Sequence, residues 1–135
     1  MSDYRNLLVW QKAMHLAESV YLITAGFPRD ERFGLISQLR RAAVSVASNI
    51  AEGQGRGNDG HFIRFLGIAR GSLHEVETQL ILATRLGYLS AGSESELLVE
   101  TRTVGRLTSA LINSLDSSAP KKRYRANDKR PVSSD

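Results

Sequence analysis

From Asp59 to Leu86 the chain holds one unbroken helical period, and no other feature constrains its fold as tightly. Phe62, Phe65, Leu66, Ala69, Leu73, Val76, Leu80 and Ala83 recur at spacings of three and four. That is the period of a helix face and not the alternation of a strand. At about 1.5 Å per residue the segment predicts a helix roughly 40 Å long. Asn58 or Asp59 can cap its first turn, and Gly87 ends it, with Tyr88 and Leu89 packing just beyond.

Three further segments share the period. The first runs from about Leu7 to Thr24, with Trp10, Ala13, Ala17, Val20, Tyr21 and Thr24 on one face; Gly26 and Pro28 then break it. The second runs from Glu31 or Gly34 to Glu52, with Leu35, Leu39, Ala42, Val46, Asn49 and Ile50 facing inward. Asn49 on that apolar stripe needs a hydrogen-bond partner on a neighbouring helix or loop, because an unpaired buried amide is costly. The fourth runs from about Glu94 to Leu115 on Leu97, Thr101, Val104, Thr108, Leu111 and Leu115, with Ser93 and Glu96 spaced as a capping box. Thr101, Thr103, Gly105 and Thr108 make it the weakest helix former. Four helices with short connections predict an all-α, antiparallel up-down-up-down four-helix bundle over residues 1–116. Residues 117–135 have almost nothing apolar to bury and are expected to be a disordered basic tail.

The break between the second and third segments reads SNIAEGQGRGNDGHF (48–62), with Gly53, Gly55 and Gly57 alternating around Arg56. A phosphate-cradling glycine loop needs a strand before it, and a P-loop needs G-K-[ST]; neither is present. Gly53 therefore reads as a left-handed cap ending the second helix, and Arg56 as a cation displayed at a bundle end.

Charge is unevenly placed. The net charge is +4, and the tail alone accounts for it through Lys121, Lys122, Arg123, Arg125, Lys129 and Arg130 against Asp128 and Asp135. The body is neutral, but its cations are eleven arginines and one lysine. Arginine suits bidentate contact with phosphate or carboxylate. There is no cysteine, so disulfides and thiolate metal sites are excluded. His15, His61 and His74 are scattered, and Glu75 and Glu77 do not share a helix face, so no catalytic, cofactor or metal constellation is visible. No signal peptide and no stretch of about 20 apolar residues is found, which predicts a cytoplasmic protein with no membrane partner.

The blocks VWQKAM (9–14), FPRDERFGLISQLRRAAVSVASNIAEGQGR (27–56), RFLGIARGSLHEVETQL (64–80) and LGYL (86–89) resemble, in order, the bacterial four-helix bundle family of 23S rRNA intervening-sequence proteins. That family includes the accessory variability protein of diversity-generating retroelements. The resemblance covers about two thirds of the chain and implies a left-handed antiparallel bundle, homopentameric assembly in several members and no catalytic activity. It implies RNA or DNA binding as the role, with a reverse transcriptase or another protein as a partner. The basic tail lies outside the family pattern.

The expected nucleic-acid contacts are Arg40, Arg56 and Arg64 on the bundle and Lys121, Lys122, Arg123 and Arg125 in the tail, where Tyr124 can stack on a base. Arg41 and Arg70 read as structural, pairing with Asp30, Glu31, Glu52 or Glu75. Gly67 and Gly71 sit one turn apart inside the third helix, each costing about 1 kcal/mol against alanine. They compensate either by packing on Ala42, Ala43, Ser45 and Ala47 of the second helix or by forming an interface between subunits. Trp10, Tyr21, Phe27 and Phe33 read as packing aromatics. A protein–protein adaptor with no direct nucleic-acid role is the alternative.

Overall fold

A computed structural model describes residues 3–116. The chain is all-α, with four helices: α1 (Leu8–Thr24), α2 (Leu35–Gly55), α3 (Asp59–Arg85) and α4 (Ala91–Leu115). Short 3-10 turns at Tyr4–Asn6 and Arg29–Glu31 precede α1 and α2, and no strand occurs among the described residues.

The four helices close a ring in which α2 packs on α1 and α3, and α4 packs on α3 and α1, without diagonal contact. Side chains along α2 and α3 meet in opposite order: Gln38 with Gln79, Ser45 with Ser72, and Gly53 with Phe65. The α3–α4 pair does the same through Glu77 with Arg102, Leu73 with Gly105, and Arg70 with Ser109. Leu16, Leu39, Ile50, Leu66, Leu80 and Val104 are completely or almost completely buried on the common axis. Three buried threonines fit this apolar interior because each hydroxyl donates to a carbonyl four residues back: Thr24 to Val20, Thr101 to Leu97 and Thr108 to Val104, each at 2.7 Å.

Local signals set several helix ends as expected. Asn58 caps α3, its side-chain oxygen accepting from the His61 amide at 3.0 Å. Gly87, at φ 83°, turns the chain out of α3, and the Tyr88 amide closes the turn on the Ala83 carbonyl. Other expectations are corrected. Helix α4 begins at Ala91, not Glu94, because the Ser90 hydroxyl accepts from the Ser93 amide at 3.1 Å and the Ser93–Glu96 pair already lies inside the helix. The face of α1 that enters the core is centred on Val9, Ala13, Leu16 and Val20 rather than on Trp10 and Tyr21. Trp10 is half-buried against Tyr4, and Tyr21 is exposed. Phe27 is buried and packs on Tyr88, but Phe33 is 85 % exposed and does not pack in the core.

Asn49 finds its partner within α2. Its amide donates to the Ser45 carbonyl at 2.8 Å and to the Ser45 hydroxyl at 3.0 Å, and that hydroxyl meets Ser72 of α3 at 2.9 Å.

Glu31 ties two turns together. One carboxylate oxygen accepts from the Leu35 amide at 3.0 Å, closing the first turn of α2, and the other accepts from the Tyr88 hydroxyl at 2.9 Å. The Leu35 amide and, secondarily, the Tyr88 hydroxyl hold its carboxyl below the ordinary 4.5. The same bond pushes the Tyr88 phenol up. A carboxyl depressed in the folded state stabilises above its unfolded pKa, and that contribution is lost as pH falls through the folded value. Glu31→Gln is therefore expected to melt below the parent protein at pH 7. The gap should narrow as pH falls below 4.5, toward the depressed folded value. Thermal melts across that range check this; a gap independent of pH would show that the ionised carboxylate is not what the two donors hold.

Candidate nucleic-acid interface

The site is built where α2 ends and α3 begins. Gly53 is buried inside α2 and is not a left-handed cap, which corrects the reading from sequence. An ideal Cβ there would lie 2.7 Å from the Phe65 Cβ and 3.0 Å from the Phe62 ring. The missing side chain is what lets the two backbones approach. The helix continues to Gly55, and the left-handed position falls at Gly57, φ 68°.

This close approach sets the Phe65 ring beneath two arginines. The Arg56 guanidinium lies 5.0 Å from the ring centroid, and the Arg64 guanidinium lies 5.6 Å from the same centroid. Both distances are in the cation–π range. Arg56 also forms an ion pair with Glu52 at 2.8 Å, one turn back, with about half of its side chain still exposed. Arg64 has no ion pair among the described residues. The result is an exposed pair of planar cations over an aromatic plate, with one carboxylate offsetting part of the charge.

The other expected contacts separate from this pair. Arg40 is about 24 Å along α2 from Arg56. Its Nε donates to the Thr24 hydroxyl at 2.8 Å, its Nη2 reaches the Tyr21 carbonyl at 3.3 Å, and its guanidinium stacks 4.4 Å from the Tyr21 ring centroid. It clamps the end of α1 to α2 and does not join the Arg56–Arg64 pair. The expected pairing of Arg41 and Arg70 with nearby acids is not seen among the described residues. Arg70 instead donates to Ser109 at 3.3 Å. Lys121, Lys122, Arg123 and Arg125 lie outside the described residues.

Gly67 and Gly71 are not explained by packing within the chain. A Cβ at either position meets nothing within 4 Å. They lie on the outer side of α3 beside Ile68, which is 42 % exposed.

Reading from sequence missed the parts played by Phe65 and Glu52. The helical period assigns Phe65 to the core, yet it is half-buried, with its Cβ position against Gly53 and its ring within cation–π distance of the two arginines. Glu52 stands four residues before Arg56, the spacing that brings helix side chains together, and that signal was available.

No curated protein sequence matches the chain significantly. Among solved structures, it is similar to a protein of unknown function from the S23 ribosomal protein family of Bacteroides thetaiotaomicron. The two share 22 % identity at a TM-score of 0.70, over 78 % of this chain and 98 % of that one, a likeness that concerns the fold. The profile of the 23S rRNA-intervening sequence protein family matches residues 5–110. That match spans most of the chain and all four helices up to the last turn of α4, and the chain belongs to the 23S rRNA-intervening sequence protein family.

Proposed function

We propose that this protein is a non-enzymatic, cytoplasmic bundle of up-down-up-down topology that binds RNA or DNA through backbone phosphates. The observation that carries the reading is the exposed Arg56–Arg64 pair over Phe65. Two planar cations held over one ring are pre-oriented for phosphate, and the ring edge offers a surface to a base or sugar. Residues 1–116 form the bundle domain, and the basic segment 117–135, which lies outside the described residues, adds contacts through Lys121, Lys122, Arg123 and Arg125. The bundle acts as a homo-oligomer, a homopentamer on the family resemblance, with Gly67 and Gly71 in its interface. A ring repeats each Arg56–Arg64 pair around a common surface, which strengthens attraction for polyanions. Phosphate contact gives affinity with little sequence discrimination, which suits an accessory or chaperone-like factor.

Exposed Phe33 and Leu22 favour a second reading, an adaptor or scaffold that docks on a reverse transcriptase or another protein without touching nucleic acid.

Fluorescence anisotropy with a labelled RNA hairpin and a matched duplex DNA separates the two. Arg56→Ala and Arg64→Ala are each expected to weaken binding several-fold at low salt and to reduce the salt slope by about 1. Replacing Lys121, Lys122, Arg123 and Arg125 by glutamine should lower affinity further without removing the dependence on Arg56 and Arg64. Absence of binding at low salt would sink the nucleic-acid reading in favour of the adaptor.

A further inference from the structure

A groove of about 570 Å³ runs between α3 and α4, on a different face from the Arg56–Arg64 pair. Its volume falls within the roughly 300–1,000 Å³ of small-molecule sites. Arg70 stands on the α3 wall, Arg102 and Arg106 on the α4 wall, and Leu73, Gly105 and Ala110 add an apolar lining. The one carboxylate in the lining, Glu77, is taken by the Nε of Arg102 at 2.7 Å. Arg70 and Arg106 hold only long bonds to hydroxyls, to Ser109 and Thr103, each at 3.3 Å. Neither has an ion pair among the described residues. Two guanidinium groups without a carboxylate partner thus flank the groove, Arg70 reaching to Ser109 of its lining and Arg106 held on Thr103 just outside it, with His74, Thr101 and Asn113 completing a mixed polar and apolar lining.

Gly105 sharpens the picture. It is a helix-weakening residue in the middle of α4. A Cβ there would meet only the tip of Leu73, at 3.9 Å, which is ordinary contact. Packing between the helices does not demand a glycine at this position, and because Gly105 lines the groove a larger side chain would project into it.

We propose that the α3–α4 groove binds a nucleoside phosphate. The phosphate bridges Arg70 and Arg106, and the flat base lies on Leu73, Gly105 and Ala110. The guanidinium fork matches phosphate oxygens, and two such groups on opposite walls fix its position better than one. Free nucleotide and the terminal nucleotide of a nucleic-acid strand present the same chemistry. The site is independent of the Arg56–Arg64 reading.

Isothermal titration calorimetry on the full chain tests it with AMP, GMP, adenosine, inorganic phosphate, succinate and a 5′-phosphorylated dinucleotide. A mononucleotide is expected to bind at least about tenfold more tightly than adenosine or inorganic phosphate, since each lacks one half of the recognised group. Arg70→Gln and Arg106→Gln should each cost about tenfold. Gly105→Leu should abolish binding with helix content by circular dichroism retained, and Gly105→Ala, which adds only one methyl, should bind more weakly than the parent without loss of fold. Arg56→Ala should leave nucleotide binding unchanged. Tighter binding of the dinucleotide than of AMP would assign the site to strand ends; the reverse would assign it to free nucleotide. Equal binding of AMP and adenosine, stronger binding of succinate, no binding of any nucleotide, or indifference to Gly105→Leu would each overturn the proposal.

Discussion

Gly53→Ala is expected to destabilise the bundle by about 2 kcal/mol, the usual scale for forcing volume into a packed interior. For a domain of this size that is a fall of roughly 10 °C in melting temperature. The atom in the way is the Phe65 Cβ, 2.7 Å from the new methyl, with the Phe62 ring at 3.0 Å and the Phe62 carbonyl at 3.3 Å. Neither the Cβ nor the carbonyl belongs to a flexible side-chain end, so α3 itself must move. Alanine recovers up to about 1 kcal/mol of helix propensity, which works against this loss and does not overcome it. Gly55→Ala is the matched control: it lies two residues on in the same helix, with nothing within 4 Å of its Cβ position, and it should be neutral or slightly stabilising. Thermal melts of both variants check the pair. A Gly53→Ala protein as stable as its parent would mean that α2 and α3 do not touch there, and the platform under Arg56 and Arg64 would lose its basis.

The second large effect is expected on assembly. Gly67 and Gly71 each weaken α3 by about 1 kcal/mol relative to alanine, and nothing in the chain fills the space beside them. Gly67→Ala with Gly71→Ala should therefore strengthen the isolated fold. If another copy of the chain packs against this face, as proposed, the same methyl groups weaken the contact, and fold and assembly respond in opposite directions. Gly67→Leu with Gly71→Leu should take the oligomer to monomer while helix content is retained. Light scattering after size exclusion measures the mass, and circular dichroism the helix. An assembly unchanged by the leucine pair would remove this face from the interface.

Much of the fold is legible in the sequence. Spacing of apolar residues placed all four helices because a helix face is a local property, written in residues three and four apart. Asn58 and Gly87 were readable for the same reason: a cap acts within four residues of itself. The limit shows in α1, where the spacing from Trp10 to Tyr21 correctly put both on one side of the helix. Spacing gives angles between residues and not the rotation of the helix against its neighbours, and the core turned that side partly outward in favour of Val9 and Leu16.

The site was legible only in pieces. Arg56 and Arg64 were identifiable as exposed cations on either side of a turn. That they share the Phe65 ring depends on which turn of α2 lies against which turn of α3, and that register follows from Gly53 fitting against Phe65 and Ser45 against Ser72. Arg40 looked equivalent to Arg56 from sequence, and the packing of α1 on α2 gave it to Thr24 and Tyr21. The α3–α4 groove had no sequence signal at all, since Arg70 and Arg106 are separated by a turn and most of two helices. The sequence by itself determined where each helix lies and, at Asn58 and Gly87, where one starts and stops, because those depend on neighbours along the chain. Only the tertiary structure decided which arginines stand together, which are bound within the fold and why Gly53 is glycine, because those depend on the space between helices.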